Sequence, residues 1–100
     1  MRYWLNDMGE VGAGKTIEVE LDRAANIRLL DFENFKLFKQ GLPHEFVGGF
    51  IRFTPYRIVT PKQAHWVIVA DLGGTEGEVS ASYKIYPTDR IPKMRATRFE

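Results

Sequence analysis

Cysteine is missing from this 100-residue chain. Its absence excludes a disulfide framework, a thiolate nucleophile and a thiolate metal site together. Histidine is scarce, with only His44 and His65, and serine is confined to Ser80 and Ser82. Both serines fall on the polar side of an alternating stretch, with no elbow glycines to expose a nucleophile. An excess of charge is lacking too: 14 Lys and Arg stand against 13 Asp and Glu, for a net charge of +1. No broad field of one sign is available to hold nucleic acid or an anionic membrane. Nor is there a long apolar run. Nothing approaches the ~18 residues needed to span a bilayer, and Asn6 and Asp7 interrupt the N-terminus before a signal-peptide core can form. The expectation is a soluble cytoplasmic domain, with neither nucleic acid nor membrane as partner.

What the chain does contain is aromatic and apolar surface arranged in short alternating stretches. Thirteen percent of its residues are aromatic, and each large ring buries ~150–250 Å², so a core can form without staples. The longest apolar stretch, residues 64–74, is Ala-His-Trp-Val-Ile-Val-Ala-Asp-Leu-Gly-Gly. Trp66, Ile68, Ala70 and Leu72 fall on one side and Val67 and Val69 on the other, the pattern of a central strand covered on both faces. Residues 3–6 read as a short first strand and 7–15 as a glycine-rich turn. Residues 16–22 alternate, with Ile17, Val19 and Leu21 inward and Glu18, Glu20 and Asp22 toward water. A turn through Arg23 leads to a strand over residues 26–31 that faces the one before it.

Residues 31–41 are the single helical passage, with Asp31 as N-cap, Phe35 and Phe38 on one side and Gly41 as the left-handed stop. The Gly48-Gly49 pair inside an apolar run reads as a bulge or sharp bend. Pro55 and Pro61 bracket an edge strand. Residues 78–86 alternate with Val79, Ala81, Tyr83 and Ile85 on one side. Residues 88–100 are a polar tail, leaving residues 1–87 as one domain. Seven or eight short strands with one helical turn predict an all-β antiparallel sandwich of jelly-roll type.

One motif invites a misreading. Residues 9–16, Gly-Glu-Val-Gly-Ala-Gly-Lys-Thr, match the phosphate-loop pattern letter for letter. That chemistry needs a helix after the loop, so that its N-terminus and backbone N–H groups cradle the phosphates while the Lys and Thr serve phosphate and magnesium. Here an alternating strand follows, and Glu18 and Glu20 would stand beside any phosphate. Nucleotide binding through Gly14, Lys15 and Thr16 is therefore a minor alternative, and no cofactor is expected.

The remaining candidates are binding groups rather than catalytic ones. His65 and Asp71 share a face but lie ~20 Å apart along one extended strand, too far to share a metal ion. Asp31, Glu33 and Asn34 lack the glycine and closing glutamate of a calcium loop. Asp31, Asn34, His65, Trp66 and Asp71 sit at turn positions beside aromatics and form the candidate ligand site. Core packing and hydrogen bonding to the Gly73-Gly74 turn are the plainer roles for Trp66 and Asp71.

The succession Asn26 to Asp31, Asn34-Phe35, Gly41, Gly48-Gly49, Pro55 and then His65-Trp66 with Asp71-Leu72-Gly73-Gly74 resembles a bacterial family of small proteins. That family is domain of unknown function number eighteen-eighty-three. The likeness runs from Tyr3 to Ile85, and its most specific piece is the block from Trp66 to Gly74. The resemblance implies a compact all-β domain, found alone or joined to signalling or defence-type domains, and it supplies no activity. The family pattern carries an aromatic after the second Gly pair and another just before the first, where this chain has Thr75 and Val47. The expected function is a non-catalytic binding or interaction module for a protein partner or small ligand. An obligate homo-oligomer subunit is the alternative, with monomer or oligomer left open.

Overall fold

The computed structural model describes residues 3–74, 76–87 and 97–99. In chain order its elements are β1 (Tyr3–Val11), β2 (Thr16–Leu21), β3 (Ala25–Asp31), α1 (Phe32–Lys39), β4 (Val47–Ile51), β5 (Phe53–Thr54), β6 (Tyr56–Val59), β7 (Ala64–Asp71), β8 (Ala81–Tyr86) and β9 (Thr97–Arg98). Strands β1-β7-β3-β4 form one antiparallel sheet, β6-β2-β8 a second and β5-β9 a two-stranded ribbon. The protein is mostly β, with its two larger sheets packed face to face in a sandwich-like arrangement.

The apolar run at residues 64–71 becomes β7, held between β1 and β3. Its alternate residues build two separate cores. Trp66, Ile68 and Ala70 join Ile17, Val19, Leu21, Ala25, Ile27, Leu29, Ile51 and Ile58 between the sheets. Val67 and Val69 turn the other way and meet Leu30, Phe35 and Phe38 beneath α1. Strands β2 and β3 do face one another, each in a different sheet, so they are not hairpin partners.

Helix α1 starts and stops where the sequence says it should. The Asp31 side chain accepts a hydrogen bond from the Asn34 N–H at 2.9 Å, and Gly41 takes a φ of 71°. Phe35 and Phe38 are its buried face. The Asn34 and Lys62 donors give Asp31 a second use. The backbone N–H of Asn34 first, and then Lys62, hold its carboxyl below the ordinary carboxylate range. A carboxyl with a lowered folded pKa stabilises the fold above its unfolded value, and that support is lost as pH falls through the folded value. Asp31→Asn, which can still cap, is expected to lose only the charge-dependent part of this support near neutral pH and to flatten the decline below about pH 4. Asp31→Ala should cost about 1 kcal/mol at pH 7. Thermal unfolding of the three proteins across pH 2–7 checks both.

Three local expectations are corrected. The first strand does not end at Asn6. It continues to Val11 through a register shift between Asp7 and Gly9, where Asp7 Oδ1 accepts from the Gly9 N–H at 2.9 Å. Only residues 12–15 turn. Glu18 does not stand in water either. It is buried on the outer face of its sheet against Arg57, whose Nε and Nη2 reach one carboxylate oxygen at 2.9 and 2.8 Å. The Gly48-Gly49 pair makes no bulge, because β4 runs in unbroken register along β3. The glycines permit a close approach: a Cβ at Gly48 would stand 2.1 Å from the Ile27 carbonyl oxygen.

The loop that matches the phosphate-binding pattern is committed to its own fold. Gly14 N–H donates to Thr60 O and Thr60 N–H to Lys15 O, both at 2.9 Å. The Thr60 hydroxyl accepts from Lys15 N–H at 2.9 Å and donates to Gly12 O at 2.7 Å. Strand β2 begins at Thr16, which is buried, so no helix N-terminus is present to meet a phosphate. Of the polar tail at residues 88–100, Thr97–Arg98 pair as β9 and Phe99 packs against the inter-sheet core. The rest of the tail lies outside the described residues. Among the described residues no helix is long and apolar enough to cross a membrane.

Candidate binding face

Strand pairing lines up side chains in rows across the outer face of the four-stranded sheet. Tyr3, Asp71, Asn26 and Phe50 form one row, and Leu5, Val69, Arg28 and Gly48 the next. Helix α1 covers Val67, Val69 and Leu30. Asp71, in the row beyond Val69, is 0% exposed, a position where a carboxylate is costly unless fully partnered. It is partnered by Asn26 Nδ2 at 3.1 Å, by the Gly73 N–H at 2.8 Å and by the Arg28 guanidinium in a short ion pair. The bond to Gly73 is the turn-stabilising role that the sequence suggests for Asp71.

Arg28 lies between two rings, 5.4 Å from the centroid of Phe38 and 5.3 Å from that of Phe46. Both distances fall within the range of cation–π attraction. Tyr3 meets Phe38 edge-on at 5.6 Å, and His44 sits 5.3 Å from Phe38 and 5.8 Å from Phe46. The cluster is thus an aromatic belt closed around one neutralised ion pair. Two of its polar atoms are buried without a hydrogen-bond partner among the described residues, Arg28 Nε and His44 Nε2. His44 Nδ1 lies 2.9 Å from Leu42 O. A carbonyl can only accept, so the proton belongs on Nδ1 and Nε2 is left as an acceptor. One unmet donor and one unmet acceptor therefore sit in the same belt, and its outer members Tyr3, Phe46 and Phe50 are 41%, 44% and 54% exposed.

The five residues singled out from the sequence fall at different places. Asp71 is at the centre of the belt. Asp31 and Asn34 are at the start of α1, where Asn34 Oδ1 also accepts from the Glu45 N–H at 2.8 Å and so ties the segment before Phe46 to the helix. His65 is on the same face as Asp71 but at the far end of β7. It stacks on Phe32 at 4.6 Å and contacts Asp7 at 2.6 Å. The Gly9 N–H first, and then His65, draw the Asp7 carboxyl below its usual range. Trp66 points into the opposite core, with its indole N–H donating to Lys62 O at 3.1 Å. Among the described residues no three metal-ligating side chains converge.

Sequence reasoning passed over Arg28, Phe38, His44 and Phe50 as members of a site. Arg28 and Asn26 alternate with Ile27 and Leu29 and read as the wet side of a strand. The available signal was an Arg and an Asn on the polar side of a strand, paired with a lone Asp closing an otherwise apolar one.

A protein-family model described as Domain of unknown function (DUF1883) matches residues 1–89, a span that contains every residue of this face. No curated protein and no solved structure matches the chain.

Proposed function

The chain belongs to the DUF1883 family, and from that premise we propose that it is a non-catalytic binding or interaction module. Its ligand face is the aromatic belt on the outer side of the four-stranded sheet. The observation that carries this reading is the unmet donor on Arg28 and the unmet acceptor on His44 inside a rim of half-exposed rings. Buried polar atoms are nearly always paired, so two unpaired ones in a single exposed cluster mark a place for a complementary group. Asp71 neutralises Arg28, which favours an uncharged ligand group offering a donor and an acceptor, an amide or a pair of hydroxyls, over a free anion. Phenyl rings, an amide and a closed ion pair can bind and orient a ligand.

A thermal-shift screen of the full chain tests this against sugars, small amides, common metabolites and nucleotides with magnesium. Ligand at a hundred times its dissociation constant adds ~2.7 kcal/mol of stability, and each kcal/mol moves the Tm of a domain this size by ~4–8 °C. A hit should disappear in Phe46→Ser and Phe50→Ser, whose exposed rings can be removed with little change in the unliganded Tm. A hit that survives both substitutions places the site elsewhere. Stabilisation by ATP and magnesium that is lost in Lys15→Ala would restore the phosphate-loop reading instead.

A further inference from the structure

We propose that the outer edge of β4 takes up an extended polypeptide segment as an added antiparallel strand, and that this segment is the ligand of the aromatic face beside it. The inference rests on the binding-module reading and names its partner class.

The four edges of the two larger sheets are not treated alike. An open edge presents unpaired backbone N–H and C=O groups, and proteins blunt such edges with bulges, charges or proline. Edge strand β1 carries the register shift at Asp7–Gly9 with Asp7 and Glu10 on it. Edge strand β6 is flanked by Pro55 and Pro61, and β8 carries Lys84 and ends at Pro87. Strand β4, Val-Gly-Gly-Phe-Ile, has no bulge, no charge and no proline. It pairs only with β3 among the described residues. Apart from the buried Ile51, its large side chains are nonetheless exposed, Phe50 more than half and Val47 and the preceding Phe46 in good part. A bare apolar edge of this kind is the surface that strand addition uses, with main-chain hydrogen bonds giving affinity and alternate side chains giving selectivity.

The chain itself shows that an added strand fits this line of backbone. Directly after β4, the Phe99 N–H donates to Arg52 O at 2.6 Å, while Arg98 and Thr97 pair with Phe53 and Thr54. That short antiparallel strand seats Phe99 against the inter-sheet core. A second segment placed along Val47–Ile51 would repeat the geometry one step upstream. The glycines there leave an open place between Phe46 and Phe50, so a partner ring opposite Gly48 would cover the glycine in the manner of an aromatic cross-strand rescue. Arg52, stacked over Phe50 at 5.3 Å, makes that flank cationic. The partner is therefore an extended segment of about five residues, matched to the length of β4. It would be aromatic or β-branched where it meets Gly48, with an acidic residue toward Arg52.

A random-peptide display library panned against the full chain is the probe, followed by amide hydrogen exchange with the enriched peptide. Enriched peptides should alternate apolar residues with at least one acid, and should slow exchange of amides within Val47–Ile51. A proline inside the peptide, or Phe50→Lys in a protein of unchanged Tm, should weaken binding by about tenfold or more. Enriched peptides that leave the β4 amides unprotected overturn strand addition while leaving the binding module standing. No enrichment overturns it as well, and a silent small-ligand screen beside that result removes the module reading too. A dimer by light scattering that Phe50→Lys dissolves would name a second copy as the occupant, against this proposal.

Discussion

Arg28→Met is expected to lower stability by about 3–5 kcal/mol, the cost of removing one partner from a buried ion pair. Asp71 keeps the Asn26 and Gly73 donors but loses its one cation among the described residues, at a position with no exposure to water. Methionine retains much of the volume between the Phe38 and Phe46 rings and makes favourable sulfur–aromatic contacts. The loss therefore reports the uncompensated carboxylate rather than a cavity. The double change Arg28→Met with Asp71→Leu should recover a large part of the deficit, because replacing both partners by apolar groups leaves no buried charge unpaired. Urea denaturation of the wild type, the single variant and the double variant measures this directly. A single-variant cost below about 1 kcal/mol is the range of exposed ion pairs, and would mean that water reaches Asp71 and that the belt is not closed around it.

The same pair shows where sequence reasoning stops. Periodicity says which residues of a strand share a side. It does not say what covers that side. The run of β7 could be read as doubly covered because both of its alternating sets are apolar, and the structure places one set between the sheets and the other under α1. The cap at Asp31 and the stop at Gly41 were equally legible, because capping depends only on neighbours in the chain. Arg28 was not legible. Its place in β3 reads as solvent-facing, and its partner lies 43 residues away in sequence. Glu18 misled for the same reason, its Arg57 being 39 residues distant. Tertiary pairing of polar side chains across strands turned an apparent wet face into a half-buried one.

The glycine pair carries the other large prediction. Gly48 has φ 138° and Gly49 φ 154°, conformations costly for a residue with a Cβ, of order 1–3 kcal/mol each. The two positions differ in their surroundings. A Cβ on Gly48 would meet the Ile27 carbonyl oxygen at 2.1 Å and its carbon at 3.0 Å, whereas one on Gly49 would meet nothing within 4 Å. The obstacle at Gly48 is backbone inside a paired strand and cannot rotate aside, so alanine there must push β4 away from β3. Gly48→Ala should therefore cost about 3–5 kcal/mol, and Gly49→Ala about 1 kcal/mol from backbone strain alone. Equal costs at the two sites would show that close approach of the strands is not what selects Gly48. The pair also separates stability from recognition. Gly49→Ala leaves the edge of β4 in place and should still bind an enriched peptide, while Gly48→Ala displaces both the edge and the open place opposite it, and should lose binding even below its lowered Tm. Loss of peptide binding in Gly49→Ala, measured well below its modestly lowered Tm, would show that the added strand needs both glycines bare.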